Sequence, residues 1–206
     1  MLTDIALPYE NEEEFIRIAS SLGYKRLLFL YDISDFNSNL QKRLNEIKTK
    51  SDVRIETGMI SGQKYLSKAA GISKFIAAKS SDKDRFMIES KKIRMIYGFE
   101  EIPRKDFMHQ RASGLNHVMC ELANKNNIVF GFSYSSLLGK STQDASLLIG
   151  RTIQNIKMCQ KYKVMTAIGS FSSNPYDLRA PNDLASLFSL LGMDGKRIKE
   201  SMSITI

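Results

Sequence analysis

The chain has 206 residues, of which 43% are hydrophobic, which is typical of one soluble globular domain. No apolar run approaches the roughly 20 residues that span a bilayer, and the N-terminus lacks a basic-then-apolar signal pattern, so we expect a cytoplasmic protein. The net charge is +8, and because the first 50 residues hold seven basic and eight acidic groups, the excess lies in residues 51–206 and favours nucleic acid partners.

Two kinds of segment alternate along the chain. Near-continuous apolar runs predict strands that are covered on both faces, and amphipathic runs predict helices. In chain order these elements are strand Thr3–Leu7, helix Asn11–Leu22, strand Arg26–Tyr31, helix Ser38–Lys48, strands Val53–Met59 and Lys74–Ala78, helix Asp82–Ser90, strand Ile93–Tyr97, helix Ser113–Asn126, strand Ile128–Phe132, helix Asp144–Tyr162, strand Val164–Gly169, and helices Pro181–Leu190 and Asp194–Met202.

Strand–helix units at this spacing predict right-handed crossovers and a parallel sheet. No linker or low-complexity tract divides the chain, so we expect one α/β domain over residues 1–206, a distorted TIM barrel with about seven strands. An open doubly wound sheet is the alternative, although Pro8-Tyr9-Glu10 follows the first strand where a Gly-x-Gly-x-x-Gly motif would stand. In a barrel, functional side chains gather at the mouth, in the loops that follow the strand C-termini.

Sequence patterns for self-sufficient catalysis are missing. The two histidines, His109 and His117, do not form a His-x-His motif, and His117 points away from the apolar stripe of its predicted helix. Gly139-Lys140-Ser141 lacks the earlier glycine of a nucleotide-binding loop, although Ser141 or Thr142 can cap a helix that holds one phosphate. Cys120 and Cys159 fall in predicted helices, and we expect free core thiols.

Long mouth loops carry most of the candidate phosphate ligands, which are Arg104, Arg111, Lys140 and Arg179. Arg111 and Arg179 precede helix N-termini, which fix their backbones, and their planar guanidinium groups suit phosphate. An ion pair with a nearby carboxylate such as Asp177 or Asp183 is the alternative. Lysines near helix ends, including Lys163, either contact phosphate or only complement a helix dipole.

Three runs of residues resemble a known family. Arg111–Ala123 (RASGLNHVMCELA), Ile156–Val164 (IKMCQKYKV) and Asp177–Leu184 (DLRAPNDL) resemble the family of protein component 3 of archaeal ribonuclease P. The N-terminal Asp4–Pro8 and Leu191–Met193 are also similar to that family. Ala180 is a departure, because a capping Ser is expected before the proline, and losing such a cap costs about 1 kcal/mol.

The resemblance implies a distorted TIM barrel allied to metallohydrolases of the PHP type, but without their metal ligands. It implies an RNA-binding, non-catalytic subunit of the ribonucleoprotein that removes the 5′ leader of precursor tRNA. Catalytic RNA with Mg2+ would perform the hydrolysis, and the chain itself would hold no cofactor or metal. A second small protein subunit would be its direct partner, and precursor tRNA would be contacted indirectly. The alternative is a free-standing PHP-like metal-dependent phosphoesterase.

Arg111 and Arg179 fall on motif positions of this family, and the resemblance therefore predicts them first as residues that contact RNA. Lys163 is the third, and Arg104 and Lys140 complete the predicted set.

Overall fold

The computed structural model describes residues 1–103, 105, 106 and 111–204. Within these residues the chain forms seven strands and eight α-helices. The strands are β1 (Thr3–Ala6), β2 (Arg26–Asp32), β3 (Arg54–Ile60), β4 (Ile76–Lys79), β5 (Met95–Tyr97), β6 (Val129–Ser133) and β7 (Thr166–Gly169). The helices are α1 (Glu12–Ser21), α2 (Ser38–Lys50), α3 (Leu66–Ile72), α4 (Asp84–Glu89), α5 (His117–Lys125), α6 (Thr142–Lys161), α7 (Pro181–Leu190) and α8 (Gly195–Ser201).

All seven strands are parallel and follow one another in the sheet in chain order. The sheet also curls until its last strand reaches its first. Leu7 N–H donates to the Ser172 carbonyl at 2.9 Å, and Phe171 N–H donates to the Ile5 carbonyl at 2.7 Å. The predicted seven-stranded barrel is therefore confirmed, and the open doubly wound alternative is wrong.

Apolar side chains fill the barrel on both faces of its wall. Inside, Leu28, Ala77, Met95 and Val129 belong to one buried cluster that includes a residue from nearly every strand. Outside, residues of the opposite strand parity, such as Phe130, pack beneath the helices. Two buried faces explain why the strands have continuous apolar runs instead of alternating ones.

The structure adds one helix that the sequence did not predict and moves the start of another. The sequence pattern predicts no helix over residues 66–72, whereas the structure has α3 there, a seven-residue helix that contains Gly71. So short a segment offers too few turns for a helical pattern to emerge. The helix predicted from Ser113 begins instead at His117, because Asn116 caps it by accepting the Met119 N–H at 2.9 Å.

Other expectations hold within the described residues. Cys120 and Cys159 are buried free thiols, and His117 is exposed at the first position of α5. Among the helices described, none combines the length and hydropathy required to cross a membrane.

Candidate nucleic-acid interface

The predicted RNA-binding residues lie at two opposite ends of the barrel. Arg111 follows β5, Lys140 follows β6 and Arg179 follows β7, so these three belong to consecutive mouth loops. Lys163 instead precedes β7, which places it at the other end, here called the base, where the strands begin. Arg104 lies outside the described residues. The structure therefore brings three of the predicted cations to the mouth and separates Lys163 from them.

Arg111 lies against the backbone of α6. A methyl group placed on Gly150 would overlap its guanidinium, so the missing side chain of this glycine makes room for the arginine. Its Nη1 lies 3.6 Å from Asp106 Oδ2, and about half of the side chain, 49%, remains exposed. Arg111 therefore forms an ion pair with Asp106, a partner that the sequence did not predict, and still keeps about half of its side chain open to solvent.

A buried arginine, Arg151, organises the loop that carries Arg111. Its Nε and Nη2 donate to Asp106 Oδ1 at 3.0 and 2.8 Å, and its Nη1 donates to the carbonyls of Glu100 and Ile102 at 3.0 and 2.9 Å. Although burial acts to raise the pKa of Asp106, the Ala112 N–H and the guanidinium of Arg151 lower it overall. Arg151 thus fixes the carboxylate that in turn holds Arg111.

Asn155, one turn after Arg151, joins the same loop to α6. Its Nδ2 donates to Glu100 Oε1 at 3.0 Å and to the Ser113 carbonyl at 2.9 Å. Gln154 Nε2 donates to the Arg111 carbonyl at 3.1 Å. Burial raises the pKa of the Glu100 carboxyl to about 7. Together with Arg151, these side chains clamp the loop onto α6, and we call this set the α6 clamp (Glu100, Asp106, Arg151, Gln154 and Asn155).

The α6 clamp was not predicted from the sequence. Arg151 and Asn155 lie one helical turn apart among the buried residues Leu148, Ile156 and Cys159. Polar residues inside an apolar stripe were the available signal, because a buried polar side chain needs partners. The sequence alone, however, does not identify those partners.

Lys140 stands at the start of α6 and is exposed. The next residue, Ser141, caps the helix, and its Oγ accepts the Asp144 N–H at 3.1 Å. Lys140, Asp144, Leu148 and Arg151 share the lining of a groove of about 430 Å3. The predicted cap is confirmed, and the groove connects Lys140 with the α6 clamp.

Arg179 is held by backbone and aromatic groups. Its Nη1 donates to the carbonyls of Tyr176 and Leu178 at 3.1 and 2.8 Å, and its Cζ lies 5.4 Å from the centre of the Tyr134 ring. In the part of the chain that the structure describes, neither Asp177 nor Asp183 pairs with it. The carboxylate partners proposed from the sequence are therefore wrong for Arg179, whose guanidinium forms no ion pair within the described residues.

The centre of the mouth is filled by aromatic side chains. The rings of Tyr97 and Phe171 stack with their centres 4.9 Å apart. Beside them Lys79 Nζ lies 3.0 Å from Glu101 Oε2. Within the described ranges, no three His, Cys, Asp or Glu side chains are grouped to hold a metal ion, and His109 lies outside those ranges.

Comparisons with known proteins agree with this geometry. A family model described as RNase P subunit p30 matches residues 102–206. Ribonuclease P protein component 3 of Methanothermobacter thermautotrophicus is 23% identical over 201 residues, covering 91% of this chain and 78% of the relative. The protein of that name from Methanococcus vannielii is 24% identical over 206 residues, covering 97% of this chain and 79% of the relative.

A solved structure shares the fold. One chain of a cryo-EM structure of archaeal Ribonuclease P with mature tRNA superposes with a TM-score of 0.82 at 19% identity, covering 97% of this chain and 86% of that one. The family match takes in the segment that carries Arg111, Lys140, Arg179 and all of the α6 clamp except Glu100. The chain belongs to the RNase P subunit p30 family.

Proposed function

We propose that this chain binds the catalytic RNA of ribonuclease P and supports removal of the 5′ leader from precursor tRNA. The observation that carries the proposal is the family match over residues 102–206, which includes the four predicted RNA ligands whose placement is described. The hydrolysis belongs to the RNA with Mg2+, and this chain supplies no catalytic group, cofactor or metal ligand. A second small ribonuclease P protein is its direct partner, and precursor tRNA is contacted indirectly.

The mouth cations are suited to phosphate because they are fixed before the ligand arrives. Two backbone carbonyls and an aromatic ring orient the guanidinium of Arg179. The carboxylate of Asp106 and the backbone of Gly150, which has no side chain, orient the guanidinium of Arg111. A side chain that is ordered in advance loses less conformational entropy on binding. This raises the affinity for a phosphate group that accepts two hydrogen bonds from one guanidinium.

A free-standing PHP-like phosphoesterase is the competing function. Such an enzyme holds its metal ions at the mouth of the barrel, where this chain packs Tyr97 against Phe171. An aromatic pair at that place offers phenol and hydrocarbon surface instead of carboxylate and imidazole ligands. The family match and the mouth lining therefore both favour the RNA-binding subunit.

Reconstitution tests the proposal directly. Leader cleavage by the cognate ribonuclease P RNA and the remaining protein subunits is measured with and without this chain. We expect the complete mixture to cleave faster at low Mg2+ concentration. No stimulation, or stoichiometric metal with phosphodiester turnover by the purified chain alone, would overturn the proposal.

A single substitution tests the contribution of the mouth. Arg179→Ala should weaken RNA binding and reduce the slope of log affinity against log salt by about 0.7 to 0.9, the value for one phosphate contact. Arg85→Ala is the matched control, since Arg85 is an exposed arginine on α4 that pairs with Glu89. An unchanged slope for Arg179→Ala would assign that residue to holding its own loop.

A further inference from the structure

The base of the barrel carries exposed cations in the connections that enter four neighbouring strands. Lys25 precedes β2, Arg54 begins β3, Lys74 precedes β4, and Lys91 and Arg94 precede β5. All five side chains are exposed. We call these five residues the basal arc.

The parallel topology makes this arc continuous. Strands β2, β3, β4 and β5 are neighbours in the sheet, so the connections that precede them also lie side by side. Adjacent strands are about 4.8 Å apart, so the four strand starts span roughly 15 Å of the barrel rim. Arg54 N–H donates to the Lys25 carbonyl at 3.0 Å, and Arg94 N–H donates to the Ile76 carbonyl at 2.8 Å, which fixes neighbouring connections to one another.

Several cations at the mouth are paired with carboxylates, whereas most members of the basal arc are not. At the mouth, Arg43 pairs with Glu12 at 2.9 Å, Lys79 pairs with Glu101 at 3.0 Å, and Arg111 pairs with Asp106 at 3.6 Å. In the basal arc, Arg54 has such a partner, Glu56 at 3.0 Å. Within the residues described, the other four members of the arc form no ion pair. Their positive charge is therefore available to an external anion.

Few carboxylates at the base remain to compensate these charges. Glu56 is 12% exposed and lies between Arg26, at 3.8 Å, and Arg54. Glu89, at the end of α4, pairs with Arg85 at 2.9 Å. Asp52 is exposed beside Arg54, and Glu200 lies across the base near Lys163. In the connections that enter these four strands, residues 22–25, 51–53, 73–75 and 90–94, the four unpaired cations of the arc stand beside one carboxylate, Asp52, so the local field is positive.

Backbone geometry shows that lysine stands at one position of the arc where glycine would relieve strain. Lys91 has a φ of +57°, in the left-handed region that an L side chain adopts at a cost. Gly23 holds the corresponding left-handed turn before β2, with a φ of +86°. Lys163, before β7, repeats the arrangement of Lys91 with a φ of +55°. At two of these turns the chain thus has a lysine where glycine would adopt the left-handed conformation at a lower cost in free energy.

We propose that the basal arc is a second RNA-binding surface, which holds backbone phosphates at the end of the barrel opposite Arg111 and Arg179. This inference rests on the proposed function, because it assumes RNA as the ligand. Long Lys and Arg side chains spaced along a rim bind backbone phosphates and do not distinguish bases. The surface therefore binds RNA in a sequence-independent way. A chain with cations at both ends can contact two separate segments of a folded RNA.

A charge-matched pair of variants tests the arc. The arc variant carries Lys25→Gln, Lys74→Gln, Lys91→Gln and Arg94→Gln. The control variant carries Lys42→Gln, Lys64→Gln, Lys68→Gln and Lys83→Gln, which removes the same charge from exposed lysines in α2, just before and in α3, and just before α4. All eight side chains are exposed, so both variants should fold, which equal thermal unfolding midpoints would verify.

The measurement is the affinity of the full chain for the cognate ribonuclease P RNA over a series of salt concentrations. We expect the log–log slope of the arc variant to fall by about three to four relative to wild type, and that of the control variant by less than about one. Equal losses in the two variants would show that net charge alone matters and would overturn the inference. A wild-type slope in the arc variant would overturn it as well.

The same data separate this inference from the proposed function. If the wild-type chain neither binds the RNA nor stimulates leader cleavage, the proposed function fails. If the wild-type chain does both and the arc variant matches it, only the basal arc is refuted.

Discussion

At the scale of single residues, Gly150 sets the position of Arg111. We predict that Gly150→Ala raises the thermal unfolding midpoint, because alanine stabilises a helix interior by about 1 kcal/mol relative to glycine. The same substitution should weaken RNA binding, because the new methyl group displaces the guanidinium of Arg111 from its position against the backbone of α6. Thermal unfolding and RNA affinity, measured on the same preparation, check both effects.

Gly71→Ala in α3 is the matched control, since nothing lies within 4 Å of the methyl group it would add. It should also raise stability but leave RNA affinity at the wild-type value. Equal RNA affinities for the two alanine variants would contradict the role of Gly150 in positioning the guanidinium of Arg111.

Buried Glu100 links stability to pH. Its carboxyl has a pKa of about 7 in the fold, raised from 4.5 mainly by burial. The folded state therefore keeps a proton that the unfolded chain releases, so the contribution of Glu100 is fully present below pH 4.5 and is lost as pH rises through 7. We predict that Glu100→Gln gains stability relative to wild type between about pH 5 and pH 8, by on the order of 3 kcal/mol.

Denaturant unfolding at several pH values checks this prediction. A constant difference between Glu100→Gln and wild type over that range would contradict it. Asp4, whose pKa burial raises to about 6, acts in the same direction in both proteins and so cancels in the difference.

The sequence predicted the exposed cations better than the buried polar residues beneath them. Arg111 and Arg179 stand in long loops that follow predicted strands, and that pattern alone predicts their place at the mouth. Arg151 and Asn155 could not be predicted in the same way, because their role depends on Asp106 and Glu100, which lie 45 and 55 residues away in the chain. Burial and pairing at that separation are properties of the fold.

At the scale of elements, helix α7 lacks a side-chain cap. Its first flanking residue is Ala180, which makes no cap hydrogen bond, and Pro181 follows. We predict that Ala180→Ser stabilises the protein by about 1 kcal/mol, because the hydroxyl can accept a free N–H of the first turn. Chemical denaturation measures the change.

Ala185→Ser, in the middle of α7, is the control, since serine is a poorer helix former than alanine there. It should leave stability unchanged or lower it. A gain from Ala185→Ser equal to that from Ala180→Ser would show that capping is not the cause.

The helix boundaries show which limits of an element can be predicted from the local sequence. The pattern predicts Pro181–Leu190 with its observed bounds, because proline fixes the first turn of the helix. The predicted start of α5, at Ser113, is too early, since an apolar pattern continues through Leu115 into the helix. Asn116 decides the boundary through a single capping hydrogen bond.

For the molecule as a whole, the pair formed by Asp4 and Ser170 adds to the backbone hydrogen bonds that join the two ends of the sheet. Ser170 donates its N–H to Asp4 Oδ1 at 2.7 Å and its hydroxyl to Asp4 Oδ2 at 2.6 Å, and both residues are completely buried. We predict that Ser170→Ala destabilises the protein by about 1–3 kcal/mol, because a buried carboxyl oxygen loses its partner. Ser173→Ala, at an exposed position in the same loop, should change stability by less than about 0.5 kcal/mol.

Thermal unfolding of the two serine variants provides the comparison. Equal midpoints for both would mean that the contact between Asp4 and Ser170 does not stabilise the closed barrel.

The approximate positions of the seven strands and the resemblance to a ribonuclease P protein could both be predicted from the amino-acid sequence alone. Strands buried on both faces need continuous apolar runs, and the family motifs are local runs of residues, so both are readable along the chain. Which charges are neutralised, in contrast, depends on the three-dimensional fold. Arg111 pairs with Asp106 and Arg151 is buried in the α6 clamp, while four of the five basal arc residues form no ion pair within the described residues, because ion pairing depends on which residues the closed barrel brings together.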